Sequence, residues 1–128
     1  MEVGQTASAT IQARAPWNDT RIDLIQGGVY QLTAEGKWWD LFIHADADGY
    51  PTKLWPQGHF ESRRRVPTAL WFCLVGVIAS VEGRAFAIGR HAQIEAETQG
   101  RLFCCANDVP GYYFNNFGKL QLLVQRVR

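Results

Sequence analysis

The stretch KLQLLVQRV, Lys119 to Val127, sets the first constraint on the fold. Leu120, Leu122 and Val124 fall on one side of an extended chain, and Gln121, Leu123 and Gln125 fall on the other. A period of two is the signature of a strand with one buried face. The same alternation recurs in SATIQARA (Ser8–Ala15) and in GGVYQLTAEG (Gly27–Gly36). DLFIHA (Asp40–Ala45), GRAFAIG (Gly83–Gly89) and GRLFCCAN (Gly100–Asn107) are short, rich in β-formers and bounded by turn residues. ALWFCLVGVIA (Ala69–Ala79) reads as a strand buried on both faces, and residues 92–98 are assigned to a strand rather than a helical turn. No window carries helical spacing with caps. Many short strands punctuated by Gly, Pro, Asn and Asp predict an all-β fold, a β-sandwich of two antiparallel sheets. The 128 residues suffice for one domain with a proper core, so a single domain over 1–128 is expected.

Charge and cysteine usage narrow the function classes. A formal charge of +1 gives no bulk attraction to nucleic acid or to a membrane surface. The basic run Arg63–Arg65 reads as a solvated loop. Three cysteines, two of them adjacent, make no disulfide framework and no zinc spacing. Buried free thiols and a reducing compartment are expected. The N-terminal MEVGQTASATIQARAPW has no apolar core segment, so no secretory signal is expected. A cytoplasmic location follows, or an extracellular one reached without a signal peptide. The longest apolar run, about Ala69 to Ala79, falls short of the ~20 residues that span a bilayer, so no membrane insertion is expected.

The loop NDVPGYYFNNFG, Asn107 to Gly118, carries the most chemistry. A hard cation such as calcium takes six to eight oxygens, from carboxylates, amides and main-chain carbonyls. Asp108 offers a carboxylate, Asn115 and Asn116 offer amide oxygens, and the turn at Pro110–Gly111 can present a carbonyl at Tyr112. An Asn ligand can also donate its NH₂ to a sugar hydroxyl. The competing reading is a turn whose Asn and Asp merely cap backbone, since these residues dominate turns for local reasons. HADADGY (His44–Tyr50) has EF-hand-like acids, but with Gly49 sixth the first position is His44 and the twelfth is Trp55. Neither is the carboxylate such a loop needs, so it reads as an acidic surface turn. Aromatics crowd nearby segments, and Trp55 in KLWPQGH stands in a polar, Gly/Pro-rich loop suited to meeting a sugar face. No nucleophile–base motif, zinc-protease motif, phosphate loop or dinucleotide fingerprint is present, so no enzyme is expected.

With these residues assembled, the chain resembles the calcium-dependent bacterial galactophilic lectins of the LecA type. Their hallmark is Asn-Asp-Val-Pro-Gly, a short spacer, then Asn-Asn, one residue and Gly; here it is NDVPGYYFNNFG. GVYQLTAEG and YPTKLWPQGHFE are similar to further segments of that family. The resemblance implies calcium held by the side chains of Asp108, Asn115 and Asn116 and by the Tyr112 carbonyl. It implies one more carbonyl, which falls on Asp40 when counted from Gly36, with Tyr50 as the competing choice. Two galactose hydroxyls would complete the shell. The family's sugar-gripping His and Gln fall here on Ser62 and Arg65, which do not match, while His59 stands close by in sequence. The candidate sugar-contacting residues are therefore Asp108, Asn115, Tyr50, Gln57, His59 and Arg65. The resemblance also implies that the β-sandwich is a jelly roll like that of galactose-binding domains, and the expectation is a galactose-binding lectin that assembles as a homo-oligomer, tetramer or dimer. The alternatives are a calcium-stabilised protein-interaction module and a carbohydrate-binding accessory domain with another sugar preference.

Overall fold

The computed structural model describes residues 1–128. Nine strands form two antiparallel sheets: β1 (Thr6–Gln12), β2 (Asn18–Leu24), β3 (Val29–Asp40), β4 (Ile43–Ala45), β5 (Leu74–Ile78), β6 (Phe86–Ala87), β7 (His91–Glu95), β8 (Gly100–Ala106) and β9 (Asn116–Arg126). One sheet runs β1-β9-β3, and the far edge of β3 is shared by β7 along its first half and β4 along its second. The other sheet runs β2-β8-β5-β6. The architecture is the expected β-sandwich.

Alternation builds the core. β3 turns Tyr30, Leu32, Ala34 and Trp38 inward; β9 turns Leu120, Leu122 and Val124 to meet them. From the opposite sheet come Leu102 and Cys104 of β8 and Leu74 and Val75 of β5. All three thiols are free and buried. The β3–β9 register pairs Trp38 with Gly118 and Asp40 with Asn116. Gly118 has a φ of 89°, and a Cβ there would lie 3.0 Å from the Lys37 carbonyl, the Trp38 Cα and the Trp39 ring. The glycine of the sequence hallmark thus lets β9 close against β3 beside Asn116.

Two expectations are corrected, and one strand lies where none was expected. DLFIHA is not one strand: Asp40 ends β3, Leu41 (φ 57°) and Phe42 form a tight turn, and β4 starts at Ile43. ALWFCLVGVIA is strand only from Leu74, because Phe72 at φ 61° breaks the extended chain. Strand β2 lies in NDTRIDL, whose Thr20, Ile22 and Leu24 face inward while Asp19 and Asp23 meet Arg101 at 3.3 and 3.2 Å. Its apolar signal is weak, since the outward positions are charged and a register shift falls between Asp19 and Asp23. One helical turn, Trp55–Gly58, also forms, too short to leave a periodic trace.

Candidate functional site

The chain crosses from one sheet to the other at one end of the sandwich, between β8 and β9. That crossing is the loop Asn107–Asn115. It is unusually buried for a connection: Asn107 is fully buried, as is Asn116, and Asp108 and Val109 are 5 and 6 % exposed. Asn107 anchors it. Its amide nitrogen donates to the carbonyls of Val66, Ala69 and Leu70 at 2.9–3.2 Å, and its oxygen accepts from the Val66 N–H at 2.9 Å. The main chain adds Phe72 N–H to the Asn107 carbonyl at 3.0 Å and Arg65 N–H to the Asp108 carbonyl at 3.2 Å. Asn107 therefore shapes the loop and is fully used in doing so.

A pocket of about 210 Å³ opens beside this loop. Asp40, Asp108, Asn115 and Gln57 supply its polar groups, and Leu41, Phe42, Leu54, Phe60 and Tyr112 are among the apolar residues around them. Asp108 Oδ1 accepts from the Val109 N–H at 2.7 Å and Oδ2 from Asn116 Nδ2 at 3.0 Å. Asn116 Nδ2 also donates to the Ala13 carbonyl at 3.2 Å. Asp40 Oδ2 accepts from the Tyr50 hydroxyl at 2.5 Å, and that hydroxyl accepts from Gln57 Nε2 at 2.7 Å.

Two features make this corner suited to a positive charge. The first is that three buried side-chain atoms in the molecule have no hydrogen-bond partner, and two of them are Asn115 Oδ1 and Asn116 Oδ1. The third, Arg64 Nε, belongs to a guanidinium stacked 4.9 Å above the Trp71 ring. A native fold rarely leaves amide oxygens unpaired away from water. The second is electrostatic. Burial pushes the Asp108 carboxyl up to about 6, and the neighbouring Asp40 charge adds to the rise against the hydrogen bonds from Asn116 and Val109. Burial raises Asp40 as well, opposed by the Tyr50 hydrogen bond. Two carboxylates and two orphaned amide oxygens are a donor set that suits a hard cation. No group of three or more His, Cys, Asp or Glu gathers anywhere in the chain, so a cation here would rest largely on neutral oxygens.

The remaining candidates divide. Tyr112 heads the short 3₁₀ turn Tyr113–Asn115, and its half-exposed ring packs 6.0 Å from Phe60 at the pocket edge. The Tyr50 carbonyl already accepts from the Trp71 N–H at 3.1 Å, so Tyr50 meets the site through its hydroxyl. Gln57 lies in the pocket wall. His59 and Arg65 do not line the pocket. His59 packs on exposed Trp55 at 5.2 Å. Arg65 lies 4.6 Å from the Trp17 ring and donates through Nε to the Tyr113 hydroxyl at 3.0 Å. Ser62 sits in an exposed 3₁₀ turn, Glu61–Arg63. The sequence reading considered Asp40 only for its carbonyl; in the structure Asp40 lines the pocket and its carboxylate accepts from Tyr50. The signal was present: Asp40 stands two residues after inward-facing Trp38, so alternation places it on the same face.

No protein-family model matches the chain, and no curated protein matches it in sequence. Among solved structures it is similar to one described as "EclA N-terminal domain; PllA-like lectin". The match covers 94 % of this chain and 95 % of that one, with a TM-score of 0.68 and 17 % identity. The chain shares the fold of a lectin domain. At that identity the likeness establishes the architecture, and the chemistry must be argued from the pocket.

Proposed function

We propose that the chain is a calcium-dependent lectin of the LecA kind that binds galactose or a galactoside in the pocket beside Asn107–Asn116. The observation that carries this reading is the pair of unpartnered, buried oxygens on Asn115 and Asn116 next to the Asp108 carboxylate. Asp108, Asn115, Asn116 and the Tyr112 carbonyl are the groups that would hold the ion. Calcium, when bound, supplies a positive centre for a vicinal diol of the sugar. The protein's own part is to orient that diol. Asp108 accepts from one hydroxyl, and the Asn115 amide nitrogen donates to a neighbouring one. The apolar rim, with Tyr112 and Phe60, covers the C–H face of the ring. Nothing in this arrangement breaks a bond; the outcome is retention.

A monosaccharide offers few atoms, so single-site affinity is expected on the order of micromolar to millimolar. Linking several sites in a homo-oligomer would multiply avidity. A glycan array run with calcium and repeated with a chelator tests the reading: galactosides retained only in calcium support it. Calcium that raises the melting temperature without any glycan retained would instead indicate a calcium-stabilised interaction module. A narrower test is Asp108→Ala, which should abolish calcium-dependent retention on a galactose resin while far-ultraviolet circular dichroism stays that of the parent. Retention equal to the parent's removes Asp108 from the site.

A further inference from the structure

We infer that Asp40 works in this pocket through its carboxylate, as a second anionic ligand besides Asp108, and that Tyr50 and Gln57 are positioning residues that hold it there. The inference rests on the cation-binding reading above and assigns a role which that reading leaves to a main-chain carbonyl.

The geometry is specific. Asp40 is the last residue of β3 and stands across from Asn116 of β9. It lines the same pocket as Asp108 and Asn115. Tyr50 is the hydrogen-bond donor its carboxylate receives, on Oδ2 at 2.5 Å, so Oδ1 is left for the pocket. A tyrosine hydroxyl has one proton, and here it is committed to Asp40, because the Gln57 amide NH₂ approaches the same oxygen at 2.7 Å as a donor. The far end of Gln57 is fixed too: its carbonyl oxygen accepts from the Lys53 and Leu54 N–H groups, each at 3.1 Å. Tyr50 itself cannot swing. It is 4 % exposed, its main chain exchanges hydrogen bonds of 2.8 and 3.1 Å with Trp71, and its ring lies 6.1 Å from Phe72.

The chain of donors runs one way, from the helical turn through Tyr50 to Asp40, and ends on an acceptor. A fold has little reason to place a carboxylate in one pocket with Asp108, close enough for their charges to interact, beside unpartnered amide oxygens, unless positive charge arrives there. Two carboxylates balance one divalent ion, and the count of charged ligands is a main determinant of calcium affinity. The Tyr50 hydroxyl and the Gln57 amide do not touch the ion in this scheme. They fix the acid that does, as outer-shell partners do at metal sites.

The test is a competition titration of calcium against a chromophoric chelator. It uses the full chain, Asp40→Asn, Tyr50→Phe and the double variant, with melting temperatures recorded in chelator. Asp40→Asn is expected to weaken calcium on the order of a hundredfold, and Tyr50→Phe about tenfold. Tyr50→Phe in the Asp40→Asn background should add no further loss, because Tyr50 acts through Asp40. A general structural role for Tyr50 would give additive losses instead. Parent-like calcium binding by Asp40→Asn overturns the inference while leaving the lectin reading intact, as do additive losses. A parent chain that takes up no calcium overturns both.

Discussion

An amide oxygen sealed from water without a donor costs a fold on the order of 1–3 kcal/mol, and Asn115 and Asn116 each carry one. Asp108 adds a charge to the same corner. Its ordinary value is 3.8, and burial in the fold raises it to about 6. The folded chain therefore holds this proton more tightly than the unfolded chain does. Its contribution is most favourable below the ordinary carboxylate range and is lost as pH climbs through about 6, a change of about 3 kcal/mol. In chelator, the stability of the parent relative to Asp108→Asn should thus decline between about pH 4 and pH 6 and then level off. Calcium needs the ionised form, so its affinity should rise about tenfold per pH unit up to the same point and then flatten. Denaturant titrations and calcium titrations across that range check both halves. A parent and Asp108→Asn that track each other at every pH would show that the carboxyl is not in a charge-poor setting.

The strand register and the loops placed by it create this corner. Asp40 and Asn116 meet because β3 and β9 pair over their full length, and Asn107 and Gly49 fix the segments that cover them. Gly49 has a φ of 81°, and a Cβ there would sit 2.2 Å from the Trp71 carbonyl and 2.6 Å from the Cys73 nitrogen. These are backbone atoms, so relief requires the Tyr50–Trp71 bridge to move. Gly49→Ala is expected to cost on the order of 2 kcal/mol or more in chemical denaturation, and to weaken calcium binding by displacing Tyr50. Unchanged stability would mean the bridge is slack. Much at this scale was legible in the sequence. Strict alternation revealed β3, β9 and β1, and a run of β-formers bounded by turn residues revealed β8. What alternation could not reveal was anything set by a single backbone dihedral. The turn at Leu41–Phe42 and the break at Phe72 occur at residues with no preference for positive φ. For the candidate site, the loop side chains of Asp108, Asn115 and Asn116 are local in sequence and were readable together. The contribution of Tyr50, Gln57 and the Asp40 carboxylate depends on contacts between separate loops, which no spacing rule encodes. For the same reason His59 and Arg65, near Gln57 in sequence, lie outside the pocket wall.

For the whole molecule, a ligand that binds only the folded form stabilises it by mass action. Calcium at about a thousand times its dissociation constant should add about 4 kcal/mol, which for a domain of this size raises the melting temperature on the order of 10 °C. A saturating galactoside should raise it further only when calcium is present. On the proposed reading, the Asn107–Asn116 corner, completed by Asp40, takes up one calcium ion that in turn admits a sugar. Isothermal calorimetry on chelator-stripped protein tests it most directly, with calcium titrated first and galactoside second. One calcium per chain is expected, with galactoside heat that vanishes when the calcium step is omitted. Galactoside heat of equal size in chelator, or no calcium heat at all, would contradict it.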